Sequence, residues 1–197
     1  MTARTLLQLS GADLTPASVR NAALVLIDLQ NEYLAGPVAL PRAKAAIVQT
    51  EKLLAAARAA GAPVIHIAHK GKAGGMFDRD AERGAIVPSL APRDGETVVE
   101  KALPNAFAGT DLQAKLNATG RKDVVIAGLM THMCVSSTAR AALDLGFRVT
   151  IDANACATRD LPDGRGGTID ADTLHEVALV ELSDRFALIA RNGETLA

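Results

Sequence analysis

The sequence predicts one α/β domain built on a doubly wound, mainly parallel six-stranded sheet with helices on both faces. Three observations predict it. Six short runs rich in Val and Ile, at 22–29, 63–68, 97–100, 123–127, 148–151 and 186–190, alternate with Ala- and Leu-rich stretches of helical spacing. The runs are nearly continuously apolar, the pattern of strands covered on both sides, and right-handed crossovers between such strands wind the sheet in two directions. No fixed-period repeat or Ser- and Pro-rich linker divides the chain.

Each element can be justified in turn. The first run ends on Asp28. Stretch 41–60 sets Ile47, Leu53 and Leu54 among alanines, and Gly61 and Pro63 stop it. Stretch 111–117 ends before Gly120. Stretch 134–145 carries Val135, Ala139, Ala142 and Leu143 on a shared face and ends at Gly146. Stretch 172–182 repeats that pattern with Leu174, Val177, Ala178 and Val180. Two segments, 70–92 and 155–167, are long, polar and turn-rich, as lids, binding loops and subunit contacts are.

Composition narrows the function classes. With 197 residues, 49% of them hydrophobic, the chain has ample material for a core and is not disordered. Aromatic residues make up 3%, with no Trp, so a base-stacking platform is not expected. Twenty-one Lys and Arg against 22 Asp and Glu give a net charge of -1 and no electrostatic case for nucleic acid. Two cysteines suit a reducing compartment rather than a disulfide framework. Residues 1–13 lack a leader's basic and apolar regions, and the apolar run 22–27 falls far short of a bilayer span. A cytoplasmic protein with a small-molecule substrate, and no membrane or nucleic-acid partner, is expected.

In an open α/β sheet, ligands bind beyond the carboxyl ends of the strands, where the strand order reverses. Three residues stand out there. Asp28 interrupts the apolar run Leu24-Val25-Leu26-Ile27, and a buried carboxylate is costly unless paired. Lys101 follows Thr97-Val98-Val99-Glu100; such lysines usually point to water, and this one matters because Asp28 needs a cation. Cys134 follows the run from Val124 and the link Thr131-His132-Met133 and opens the next helix, whose N-terminus favours a thiolate. Cys156, with no helix starting at it, reads as an inert buried cysteine. A thiol, a carboxylate and an ammonium can serve as nucleophile, base and charge partner.

These segments, with Asp28-Leu29-Gln30-Asn31 and Gly128-Leu129-Met130-Thr131-His132-Met133-Cys134-Val135, resemble the isochorismatase-like cysteine hydrolases, which include nicotinamidases and related amidases. The resemblance runs from about Ala22 onward. It implies a Rossmann-like hydrolase domain over 21–197 behind an N-terminal extension of 1–20. It also implies that Asp28 takes the thiol proton, that Lys101 stabilises both charges, and that Cys134 attacks a carbonyl to form an acyl-enzyme. The backbone N–H groups of Met130 and Cys134 would form the oxyanion hole. A non-proline cis peptide is implied at Leu129–Met130, and a homo-oligomer, dimer or tetramer, is implied as well. Metal-using nicotinamidases carry an Asp-x-His pattern where this chain has His66-Ile67-Ala68-His69-Lys70-Gly71. His66 and His69, three apart on a strand, face opposite ways, so no metal or other cofactor is expected; true isochorismatases do not need a nucleophilic cysteine, so the resemblance at Cys134 implies amide-type hydrolysis. By position, Tyr33, His69, Phe77, Asn105, Phe107 and His132 are candidates for the substrate pocket.

Three rivals remain. The nearest is a hydrolase of the same family, isochorismatase-type or other, working through Cys134 and His132. Under the main reading, Asp28→Asn abolishes both thiol alkylation and turnover, whereas His132→Ala is milder. The second is a nucleotide-binding module, yet Gly71-Lys72-Ala73-Gly74-Gly75 and Gly164-Arg165-Gly166-Gly167 match neither phosphate-loop pattern. The third is a catalytically inactive family member, against which the three catalytic positions argue.

Overall fold

Apolar runs become strands here in the order the chain supplies them. The computed structural model describes residues 2–196; residues 1 and 197, the outer ends of the expected extension and domain, lie outside the described residues. The elements are α1 (Leu6–Leu9), β1 (Ala23–Ile27), α2 (Glu32–Ala35), α3 (Ala43–Ala59), β2 (Val64–His69), β3 (Thr97–Lys101), α4 (Leu112–Ala118) and β4 (Asp123–Leu129). They continue as α5 (Ser136–Asp144), β5 (Arg148–Ala157), β6 (Leu161–Pro162), β7 (Thr168–Ile169), α6 (Ala171–Arg185) and β8 (Leu188–Ala190). Six strands form one sheet in the order β3-β2-β1-β4-β5-β8, and every pairing in it is parallel. Strands β6 and β7 form a separate antiparallel pair.

Successive side chains of a strand face opposite sides, so β1 feeds two cores. Leu24 and Leu26 pack with Ile47, Leu53 and Leu54 of α3. Val25 and Ile27 pack with Leu112 of α4, Ala139 of α5 and Leu182 of α6. This two-sided burial is why β1 carries no alternation, whereas the edge strand β3 exposes Val98 and Glu100. The extension is laid on the domain: Leu6 N–H donates to Asp184 Oδ1 of α6 at 2.8 Å.

Three local expectations need correction. Strand β5 continues to Ala157, so residues 155–157 of the expected loop belong to the sheet. Its register slips opposite Ile126 and Gly128, and the Asp152 carboxylate accepts the Asn154 and Ala155 N–H groups that the slip frees. Helix α6 buries Ala171, Ala178, Leu179 and Leu182, while Val177 and Val180 are 58% and 61% exposed. Apolar residues lie on both sides of this helix, so periodicity alone could not choose the face that packing selects. Helix α5 begins at Ser136, and Cys134 belongs to the π-helical turn Thr131–Val135 before it.

The strand order reverses between β1 and β4, which lie side by side. At that seam Gly128 pairs with Ile27, the residue before Asp28. Gly128 has φ +145, and a Cβ there would stand 2.1 Å from the Ile27 carbonyl oxygen. Gly128→Ala is therefore expected to destabilise the protein by about 3 kcal/mol or more, from a disfavoured backbone and overpacking together. Urea unfolding checks this; an unchanged midpoint contradicts it.

Candidate active site

Strand β1 ends because Asp28 turns left-handed, at φ 51, a conformation that Asp tolerates better than most side chains. Its N–H donates to the Ile67 carbonyl at 3.0 Å, anchoring the turn to β2. Lys101 is the last residue of β3, two strands away. Its side chain crosses the end of β2, and both residues are fully buried. Cys134 comes from beyond β4, on the other side of β1.

The three side chains meet. Lys101 Nζ lies 2.7 Å from Asp28 Oδ2 and 3.3 Å from Cys134 Sγ. His69 Nδ1 is 3.4 Å from the same ammonium. The Asp28 carboxylate is ion-paired to the Lys101 ammonium at 2.7 Å and also faces the Cys134 thiol. A buried carboxylate facing the thiol is placed to accept its proton.

Burial pushes the Asp28 carboxyl above its usual range, and the Lys101 charge opposes that shift. Burial also pushes the Cys134 thiol up to about 12, and the Asp28 charge adds to this while Lys101 counteracts it. Cys134 lies in the first turn of a helical segment that continues into α5, and its desolvation opposes the thiolate that such a position favours. The resting nucleophile is a neutral thiol beside a carboxylate and an ammonium. For Asp28→Asn two effects therefore oppose each other: the thiol loses its neighbouring base, while a charge that raises its pKa is removed.

The segment 70–92 is held over this rim by two buried polar residues that the sequence did not single out. Gln30 donates from Nε2 to the His69 carbonyl at 2.9 Å and the Gly84 carbonyl at 2.7 Å, and its Oε1 accepts the His69 N–H. Glu32, fully buried, accepts the Phe77 N–H at 3.2 Å and pairs with Arg83 at 3.3 Å. The only sign of either was a polar Gln30-Asn31-Glu32 stretch following a buried strand. Phe77, at φ 58, turns its ring onto Tyr33 and His69, with both ring centroids 5.1 Å away. Tyr33, His69 and Phe77 thus form an aromatic wall beside Lys101.

Asn105 Oδ1 accepts the Phe107 N–H in a local turn, and the Phe107 ring stacks on Phe147. His132 Nδ1 bonds the Thr158 hydroxyl, and burial holds its imidazole below the usual histidine range. Among the described residues no hydrogen bond links His132 to Cys134. Met130 caps the π-turn, Cys134 lies within it, and the Leu129–Met130 peptide is cis. His66 turns the other way from His69, to Glu96, which Arg58 also holds. No group of three potential metal ligands occurs among the described residues. A cavity of about 450 Å³ between α3, the end of β5 and the start of α6 contains none of Asp28, Lys101 and Cys134. No described helix is long and apolar enough to cross a membrane.

A doubly wound sheet with a buried Cys, Asp and Lys at its switch point defines a cysteine-hydrolase-like site. The Isochorismatase domain family matches residues 22–192. The chain is 37% identical over 185 residues to a secreted isochorismatase effector of Verticillium dahliae, covering 93% of this chain and 95% of that protein. It is 30% identical over 171 residues to the maleamate amidohydrolase of Pseudomonas putida, covering 78% and 80%. The crystal structure of an isochorismatase from Pseudomonas putida superposes with a TM-score of 0.93 at 40% identity, covering 96% of this chain and 97% of that one. The chain belongs to the isochorismatase family of hydrolases.

Proposed function

We propose that this protein is an amidohydrolase that cleaves a non-peptide C–N bond of a small amide through a covalent Cys134 acyl-enzyme. The observation that carries the reading is the Lys101 ammonium set between Asp28, at 2.7 Å, and Cys134, at 3.3 Å. Asp28 removes the thiol proton as Sγ bonds to the carbonyl carbon, so that charge builds on sulfur only as it is consumed. Lys101 balances the negative charge shared between the two. The Met130 and Cys134 N–H groups receive the oxyanion. As the C–N bond breaks, Asp28 returns the proton to the leaving amine. Water then adds to the thioester with Asp28 again as base, and the acid leaves as the thiol is restored. The aromatic wall of Tyr33, His69 and Phe77 bounds the substrate, and Asn105, Phe107 and His132 remain candidates for the rest of the pocket.

The similarity to a maleamate amidohydrolase supports amide chemistry. A Cys134–His132 pair is disfavoured because no hydrogen bond links the two among the described residues, whereas Lys101 Nζ lies 3.3 Å from Cys134 Sγ. The same reading takes the chain to be cytoplasmic and to assemble with copies of itself. Its two free cysteines fit a reducing compartment, although the Verticillium dahliae relative is described as secreted.

The test is a panel of small amides, ureides and cyclic imides, with ammonia or amine release as the readout. At least one amide is expected to turn over; a panel in which only esters or vinyl ethers react overturns the reading. The pH profile follows from the Asp28 environment. The base must be deprotonated in the free enzyme, and burial raises its pKa. Hence kcat/KM is expected to fall with acid at a pH above the ordinary aspartate range. A profile that stays flat down to that range contradicts the assignment.

A further inference from the structure

We propose that His175 is a positioning residue for the nucleophile: through the Thr131 hydroxyl it fixes the turn that presents Cys134 to Asp28 and Lys101, so that kcat depends on it and substrate binding does not. This rests on Cys134 being the nucleophile of the amidohydrolase reading and deepens that reading.

The turn that carries Cys134 cannot hold its own place. It is a single π-helical turn, a rare form with little hydrogen bonding of its own. The Met133 and Val135 N–H groups both donate to the Met130 carbonyl, at 3.0 and 3.2 Å, and so tie the turn only to its own start. Side chains must supply the ties to the rest of the domain. Thr131, the first residue of the turn, is fully buried. No earlier helical turn offers its hydroxyl a carbonyl, and a buried hydroxyl without a partner is costly. Its one partner among the described residues is His175 Nδ1, at 2.8 Å.

The long segment after β5 delivers that histidine. The chain leaves the strand at Thr158, which bonds the half-buried His132, then forms the β6–β7 pair and returns to α6. Asp160 accepts the Ala171 N–H at 2.8 Å and closes the excursion at its base. Asp170 caps α6 by accepting the Thr173 N–H at 2.9 Å, which sets His175 in the second turn of the helix. The acids beside His175 do not compete for its ring: Asp172 pairs with Arg42, and Glu176 pairs with Arg191 at 2.9 Å. Burial holds the imidazole below the usual histidine range, so at neutral pH the ring can serve the hydroxyl without bringing a charge to the turn. No hydrogen bond links His175 or Thr131 to Asp28 or Lys101 among the described residues. The tie acts on the reaction through where it puts the sulfur, 3.3 Å from Lys101 Nζ. A displacement of about 1 Å at a reacting atom costs on the order of 100-fold in rate.

The test compares wild type with His175→Leu, Thr131→Val, their double variant and His175→Asn, well below every Tm. Each apolar single variant should lower kcat on the best amide roughly 100-fold and leave KM within about threefold. His175→Leu should also lower Tm, because it strands the buried hydroxyl. The double variant removes both partners, so its Tm should return toward wild type while kcat stays low. A merely structural tie would restore the two together. His175→Asn, which can bring a polar atom near the place of Nδ1, should recover kcat by about tenfold over His175→Leu.

Cys134 alkylation in the same variants, followed by mass spectrometry, needs no substrate. Burial is the main cause of the raised thiol pKa, so freeing the turn should speed alkylation at neutral pH by roughly tenfold. Faster alkylation in the double variant with no amide turned over by wild type would uphold the tie and sink the amidase reading. Amide turnover with kcat restored in the double variant would sink the tie alone. A loss confined to KM, alkylation unchanged in the double variant, or His175→Asn no better than His175→Leu would each overturn the proposal as well.

Discussion

Cys134→Ala is expected to leave no measurable covalent turnover, a loss of about 10⁴-fold or more in kcat with the fold intact. The substitution removes the one atom that can bond to the substrate carbon. Water held near the oxyanion donors would supply only the residual rate that positioning gives without a nucleophile. The site should tolerate the change, since the sulfur's close polar contact is with Lys101, which keeps Asp28 as its ion-pair partner. Cys134→Ala should therefore still bind substrate analogues. Steady-state assays on the best amide, paired with calorimetry, check both halves. Full turnover in the alanine variant would dismiss the acyl-enzyme.

The second large effect is that of Asp28→Asn, for which turnover is expected to drop by about 10³-fold while the thiol stays reactive. Asparagine keeps the size of the side chain but cannot carry a proton from sulfur to the leaving amine. The Asp28 charge raises the thiol pKa and the Lys101 charge lowers it, so removing the first leaves the thiolate easier to form. Chemistry and nucleophile reactivity should thus move in opposite directions. A variant that loses both together would make Asp28 a generator of resting thiolate, contrary to the neutral-thiol ground state. His132→Ala should change kcat far less, because His132 is tied to Thr158.

The core of this arrangement was legible in the sequence because it rests on strong local signals. Apolar runs such as that of β1 read as strands buried on both sides, while the edge strand β3 exposes Val98 and Glu100, and Asp28 breaking the β1 run marks a site where a charge is held. The convergence of Lys101 and Cys134 on Asp28 depends on strand order, which single residues do not encode; family resemblance supplied it. Other features were hidden for physical reasons. The π-turn at Cys134 has no composition signature, so the thiol was assigned to a helix start. The face of α6 was misjudged because Val177 and Val180 offer an equally apolar alternative. The extra length of β5 depends on Asp152 satisfying a register slip. Gln30 and Glu32 gained meaning only when they were seen holding the 70–92 segment above the rim.

The most direct measurement of the central claim needs no substrate: the pH dependence of Cys134 alkylation, followed by mass spectrometry in wild type, Asp28→Asn and Lys101→Met, with folding checked by circular dichroism. If the carboxylate and the ammonium both face the sulfur, Asp28→Asn shifts the titration to lower pH and Lys101→Met shifts it to higher pH. Three superimposable titration curves would mean that neither charge reaches the thiol, and the catalytic unit described above would not exist.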